Sequence, residues 1–228
     1  LGDVYKRQAV LPSVREKYPD VWIFGEVIHG DYASIVRASG MDSVTQYELW
    51  KGIWSSIESR NFFELDHALG RHNEFSDAFT PMTFVGNHDV TRIASRVGQD
   101  GAVLATAILA TIGGIPLIYY GDELAYRGVK EERFGGDDDI RPVFPASPAD
   151  LSNLGADTLR AHQSLLGLRR RHPWLVDART ESLDLTNERY VYRTGVPGVE
   201  PLIVELDVRD GCSVLIREAG QVVWSSGA

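Results

Sequence analysis

The sequence predicts an α/β fold, a parallel sheet with helices outside it, followed by a small all-β domain at the C-terminal end. Two observations carry this. Short, continuous apolar runs alternate with stretches of helical periodicity over the first three quarters of the chain, and the pattern then changes to short alternating strands separated by Gly-containing turns. The 228 residues, 43% apolar and 10% aromatic, suffice for one substantial core and a small second domain.

In chain order, Leu1–Gln8 reads as a non-native leader, without Met or cap, and is set aside from the fold. Val10, Leu11, Val14 and Tyr18 recur at helical spacing, and Pro19-Asp20 ends that helix. Val21-Trp22-Ile23-Phe24 is a continuous apolar run, the mark of a strand covered on both faces. A weaker strand signal lies at Met41-Asp42-Ser43-Val44, and helical periodicity runs over 44–58. Residues 82–85 form an apolar strand, 102–112 a helix and 115–120 another strand. The right-handed crossover rule then places the helices outside the parallel sheet. Residues 127–151, rich in Gly, Asp and Pro, read as a long loop at an edge of the structure. Residues 157–172 return to helix, with Leu159, Leu165, Leu166 and Leu168 on its apolar side and Pro173 beyond its end. Three strands of the β domain are expected around 190–193, 202–206 and 213–217.

The net charge of −9, with no basic stripe, argues against a nucleic-acid partner. The run Arg169-Arg170-Arg171 at a helix end reads as a solvated face. No apolar run reaches the roughly 20 residues needed to cross a bilayer, because Gly113, Gly114 and Pro116 break the longest one; this predicts a soluble protein with no membrane partner. Cys212, the single cysteine, reads as a small half-buried side chain that needs no oxidising compartment, and the N-terminal residues show no secretory signal. A cytoplasmic setting is thereby slightly favoured, with the true N-terminus expected to lie upstream. His67 and His72, five apart, are off the spacing for a shared metal and read as surface residues; Trp50, Trp54, Phe62 and Phe63 read as core.

Two strands run directly into polar groups: Phe24 into Gly25-Glu26-Val27, and Phe84-Val85 into Gly86-Asn87-His88-Asp89. In a parallel sheet with outer helices, side chains at the C-terminal strand ends share one mouth, so two carboxylates and a histidine would meet there. Glycoside cleavage needs such a pair, one carboxyl kept protonated as acid while another stays ionised.

These segments resemble the α-amylase family. Phe24-Gly25-Glu26-Val27, with His29 nearby, is similar to its third conserved region, and Phe84-Val85-Gly86-Asn87-His88-Asp89 to its fourth. Gly114-Ile115-Pro116-Leu117-Ile118-Tyr119-Tyr120-Gly121-Asp122-Glu123 resembles its last barrel strand and exit loop. The resemblance implies that 9–177 is the C-terminal half of a (β/α)8 TIM barrel, carrying strands five to eight with the sixth at 41–44, and that 178–228 is the family's antiparallel C-terminal domain. It implies Glu26 as general acid/base and Asp89 as the residue that distorts substrate and stabilises the transition state. Asn87 and His88 would bind sugar beside the scissile bond. His29 and Arg92, the latter in a His-Asp-x-x-Arg pattern like that of neopullulanase-like and cyclomaltodextrinase-like members, would be secondary substrate contacts. The loop Gly135-Gly136-Asp137-Asp138-Asp139-Ile140-Arg141-Pro142 resembles those members' acidic, arginine-containing loop after the eighth strand, and reads equally as a sugar contact and as a solvated acidic turn or chance cation site.

The family's nucleophile, an Asp in a Gly-x-Arg-x-Asp pattern after the fourth strand, occurs nowhere in these residues. The expectation is a retaining enzyme acting on α-glucosidic bonds of starch-type glucans or maltooligosaccharides, present as a fragment that lacks its nucleophile and is inactive alone. The alternative is a carbohydrate-binding or interaction protein that keeps the barrel without the chemistry. The partner expected either way is an α-glucan or oligosaccharide. No cofactor is expected; calcium is possible in the family and not assignable here. The pattern leaves open the particular glucan, hydrolysis against transglycosylation, and the oligomeric state.

Overall fold

The structure, a computed structural model, describes residues 4–151 and 153–226. Helix α1 (Val4–Lys17) precedes strand β1 (Phe24–Gly25), α2 (Tyr32–Ser39) and strand β2 (Ser43–Val44). Next come α3 (Tyr47–Ser59), α4 (Phe63–Ser76), β3 (Met82–Phe84), α5 (Ile93–Thr111) and β4 (Ile115–Leu117). α1 includes residues 4–8 of the segment expected to be a leader, whose first three residues lie outside the described ones. β1 pairs with β2 in parallel, and β3 with β4. A parallel Thr45–Met82 bridge, reinforced by Gln46 N–H donating to Met82 O at 2.9 Å, joins the two pairs. The four strands thus follow one another side by side in chain order, all parallel, as the alternating pattern predicts.

Burial across this arc departs from the expectation of strands covered on both faces. The central strands meet it, since every residue of β2 and β3 is buried. β1 does not: Trp22 is 39% and Phe24 44% exposed, while Gly25 and Val27 are buried. β4 is only half-buried. The reason is position, because among the described residues β1 and β4 are the outer strands of the arc and each has a strand neighbour on one side only. Arg15 on α1 secures β1 to β2. Its guanidinium donates to Asp42 at 2.8 Å, Gly40 O at 3.0 Å and Val21 O at 3.2 Å, and Asp42 in turn accepts from Ile23 N–H at 2.6 Å.

α5 starts earlier than its periodicity shows, and breaks at Gly98, where φ of 74° and ψ of 178° lie outside the range open to other residues without strain. One element has no counterpart in the sequence reading, and the sequence sets no bounds for a second, the helical stretch that holds His67 and His72. α2 is short, and α4 carries His72, Asn73, Asp66 and Glu64 among its apolar residues, which dilutes the helical period. His72 is fully buried rather than at the surface, while His67 is exposed; of the four aromatics expected in the core, Phe62 is buried, Trp50 and Trp54 half-buried, and Phe63 exposed.

Helix α6 (Ala156–Arg171) leads into the antiparallel sheet β5 (Arg179–Leu185), β6 (Arg189–Gly195), β7 (Leu202–Asp207), β8 (Ser213–Glu218) and β9 (Gln221–Ser225), paired in sequence order. Leu202, Val204 and Leu206 alternate inward along β7, as a sheet with one covered face requires. That face, with Tyr190, Tyr192 and Ile216, shares one core with α3, α4, α5 and α6. Polar groups lock the contact: Tyr190 donates to Asp66 at 2.9 Å, and Asn73 bonds both N–H and O of Thr180. Arg169, expected on a solvated face, is buried, and its guanidinium donates to the carbonyls of Ala110, Ile112 and Gly114 at 3.2, 2.7 and 2.5 Å. Cys212 is half-buried, as expected.

Candidate active site

The C-terminal ends of β1 to β4 deliver their following residues to one side of the arc. Glu26 follows β1, Thr45 to Tyr47 follow β2, Gly86 to Asp89 follow β3, and Tyr119 to Asp122 follow β4. Short strands release the chain early, so these polar residues stand where the ladder has ended and their side chains are free to bond one another.

The bonds form a continuous path. Tyr47 Oη donates to Glu26 Oε1 at 2.8 Å and accepts from Asn87 Nδ2 at 2.8 Å. Asn87 Oδ1 accepts the backbone N–H of Asp89 at 2.8 Å. Asp89 Oδ2 lies 3.3 Å from His88 Nε2, and Asp89 Oδ1 accepts from Arg141 at 2.7 Å. Arg141 also donates to His88 O at 2.8 Å and to Asp137 at 2.8 Å. The structure therefore brings together Glu26, Asn87, His88 and Asp89. His29, also expected here, is exposed on the turn beyond Glu26.

Arg92 needs correction as a sugar contact. Its side chain is 0% exposed, paired with Asp122 (2% exposed) at 2.9 Å, and donates to Tyr120 O at 2.5 Å. The guanidinium also lies 4.1 Å from the Tyr119 ring centre and 5.0 Å from that of Tyr120. A group enclosed in this way shapes the floor beneath the site and cannot reach a ligand. Burial pushes the Asp122 carboxyl up to about 6, against the pull of Arg92. Gly86 is required above it, because a Cβ there would stand 2.3 Å from Asp122 Oδ2.

The loop at 127–151 is not remote from this site. Arg92 N–H donates to Gly128 O, Gly128 N–H to Ser95 Oγ, Lys130 N–H to Thr91 Oγ1 and Tyr120 Oη to Pro142 O, which fasten the loop across the ends of β3 and β4. In its acidic run Asp137 is paired with Arg141 and Lys130, and among the described residues no three His, Cys, Asp or Glu side chains are gathered to hold a metal. No helix of the described residues is long and apolar enough to cross a membrane.

Tyr47 is the residue of this network that motif reading does not reach, while Arg141 and Asp137 belong to the loop segment at 135–142. Tyr47 carries no motif of its own; its one signal is its place directly after a short strand, on the same edge as Glu26 and Asn87. It is buried, packed edge-on against Phe84 at 4.9 Å and Trp50 at 5.7 Å. Burial first, then the bond to Glu26, pushes its phenol well above the usual range, so it keeps its proton.

Parallel strands, outer helices and polar residues collected at the strand ends define an α/β protein with its site at the C-terminal edge of the sheet. Residues 6–180 match the family model described as Alpha-amylase: Alpha amylase, catalytic domain, and the chain belongs to this family. It is 30% identical over 175 residues to the maltogenic alpha-amylase of Bacillus acidopullulyticus, covering 72% of this chain and 28% of that one. It is 32% identical over 126 residues to alpha-amylase 3 of Dictyoglomus thermophilum, covering 51% and 24%. Among solved structures, a cyclic alpha-maltosyl-(1→6)-maltose hydrolase from Arthrobacter globiformis superposes with a TM-score of 0.76 at 18% identity, over 93% of this chain and 47% of that one. This last likeness is one of fold. The chain spans about a quarter of the length of these curated relatives and about half of that solved structure.

Proposed function

We propose that the protein to which these residues belong is a glycoside hydrolase or transferase acting on α-glucosidic bonds by retaining double displacement. The observation that carries the reading is the bonded path from Glu26 to Asp89 across the ends of β1, β2 and β3. Residues 9–177 serve as the second half of a (β/α)8 barrel and 178–228 as its C-terminal domain, with β1 to β4 as strands five to eight. The nucleophile is not among these residues, which hold no Gly-x-Arg-x-Asp pattern, so the chain by itself is inactive.

In the first step Glu26 gives its proton to the glycosidic oxygen as the bond from that oxygen to C1 breaks and the nucleophile's carboxylate bonds to C1. In the second, Glu26 takes a proton from water as the water oxygen replaces the carboxylate at C1; a sugar hydroxyl in place of water gives transfer. Asp89, held by Arg141, stabilises the positive charge at C1 and fixes the neighbouring sugar hydroxyls. His88, exposed next to Asp89, and His29, exposed on the turn beyond Glu26, supply further sugar contacts.

Replacing Glu26 by Gln in the complete protein removes the proton donor without changing its size, and the expected loss in kcat on a maltooligosaccharide is about 100- to 10,000-fold. Binding of the same sugar with no turnover in the unsubstituted protein would favour the binding-protein alternative, and undiminished turnover by Glu26→Gln would remove the acid/base assignment.

A further inference from the structure

The path from Asp89 to Glu26 has a fixed direction. The backbone N–H of Asp89 can only donate, so the Asn87 side chain must present Oδ1 to it and turn its NH2 the other way, toward Tyr47. The Asn87 NH2 can only donate as well, which makes the Tyr47 oxygen its acceptor. The single phenolic proton of Tyr47 is then left for Glu26 Oε1. Every donor and acceptor along the path is set by one backbone amide.

We infer that Tyr47 is a positioning residue that, with Asn87, holds Glu26 Oε1 permanently as a hydrogen-bond acceptor and so assigns proton transfer to the other carboxyl oxygen, Oε2. The inference rests on the acid/base reading of Glu26. A carboxylic acid whose proton could sit on either oxygen would spend part of its time with that proton aimed at Tyr47 rather than at a glycosidic oxygen. With Tyr47 donating to Oε1 and Asn87 donating to Tyr47, a proton on Oε1 would face another proton, which leaves Oε2 as its place. The ring of Tyr47 is clamped by Phe84 and Trp50, so the hydroxyl has little freedom to turn aside. Tyr47 and the Asp89 amide together reassign Asn87: its Oδ1 and Nδ2 both have protein partners, which makes it part of the acid's support before it is a sugar ligand.

The test compares Tyr47→Phe, Asn87→Ala, Glu26→Gln and the Tyr47→Phe/Glu26→Gln pair in the complete protein, on a maltooligosaccharide and on a maltosyl fluoride, whose leaving group needs no proton. Tyr47→Phe keeps the packed ring and is expected to lower kcat about 10- to 100-fold on the oligosaccharide, the size of one bond to a charged group, with KM within about twofold. On the fluoride most of that loss should vanish from kcat/KM, which ends at fluoride departure and leaves out the water step in which Glu26 is the base, and in the Glu26→Gln background Tyr47→Phe should cost nothing further. Asn87→Ala acts at the other end of the path and should show the same selectivity, which carries the test if Tyr47→Phe proves poorly folded. An unchanged kcat in both single variants, or an equal loss on both substrates and in both backgrounds, overturns the inference while leaving the acid/base reading intact if Glu26→Gln is impaired. Full turnover by Glu26→Gln overturns the reading itself, and the inference with it.

Discussion

His72 shows how much one buried side chain can couple distant parts of this chain. It sits on α4 with its ring closed off from solvent and Nε2 3.2 Å from Gly113 O, just before β4. Burial pushes its pKa down to about 4 from an ordinary 6.5, so the ring is neutral in the fold and donates from Nε2 to that carbonyl. The unfolded chain binds a proton there below about pH 6.5 and the folded chain only below about 4, so this contribution to stability is present above 6.5 and is lost as pH falls toward 4. Asp122, raised to about 6, works in the opposite sense, its contribution being lost as pH rises through that value. The clean measurement is therefore a difference: the unfolding free energy of the natural chain minus that of His72→Gln, across pH 7 to 4. It should fall by roughly 3 kcal/mol as pH drops, and a flat difference would show that His72 is not held neutral. Neither the burial of His72 nor that of Arg92 is legible from composition, because histidine and arginine are usual surface residues; only the surrounding carbonyl or carboxylate shows why enclosure is tolerated.

Elements are legible where the period is clean. β2 lies inside the weak signal at 41–44, β3 inside that at 82–85, and α6 begins and ends within a residue of its expected bounds. α4 is not, since its buried face includes His72 alongside Leu65, Leu69 and Phe75, and a polar residue on the apolar stripe weakens the pattern. The end of α6 is the strongest case of tertiary override. Cations at a helix C-terminus are favourable in water, so three consecutive arginines carry no sign that the first turns inward. Arg169 does so because α5 ends at Thr111 and β4 begins at Ile115, leaving carbonyls between them without ladder or helix partners. Replacing Arg169 by Met would strand those carbonyls and should cost about 3 kcal/mol or more, read from the denaturant midpoint. Lysine should restore only part of it, because an ammonium cannot span carbonyls that the flat guanidinium reaches with both Nη atoms.

For the whole molecule, the consequential feature is the uneven cover of the parallel arc. β2 and β3 are sealed, while β1 presents Trp22 and Phe24, their rings 5.3 Å apart, to solvent beside an unpaired strand edge. The chain produced by itself is expected to associate through this edge, and Trp22→Ser with Phe24→Ser should shift its sedimentation toward monomer; an unchanged distribution would place the association elsewhere. The sequence by itself determined the α/β order, the β domain behind it, and the two strand ends that carry Glu26 and Asp89, because strand periodicity and strand-end polarity are local properties of a few adjacent residues. Tertiary structure alone decided that Tyr47 bonds Glu26, that Arg92 is enclosed against Asp122, and that Arg169 turns inward. Each of these depends on a partner 21 to 59 residues away, Glu26, Asp122 and Ala110 among them, and no local pattern records which partner a folded chain will bring near.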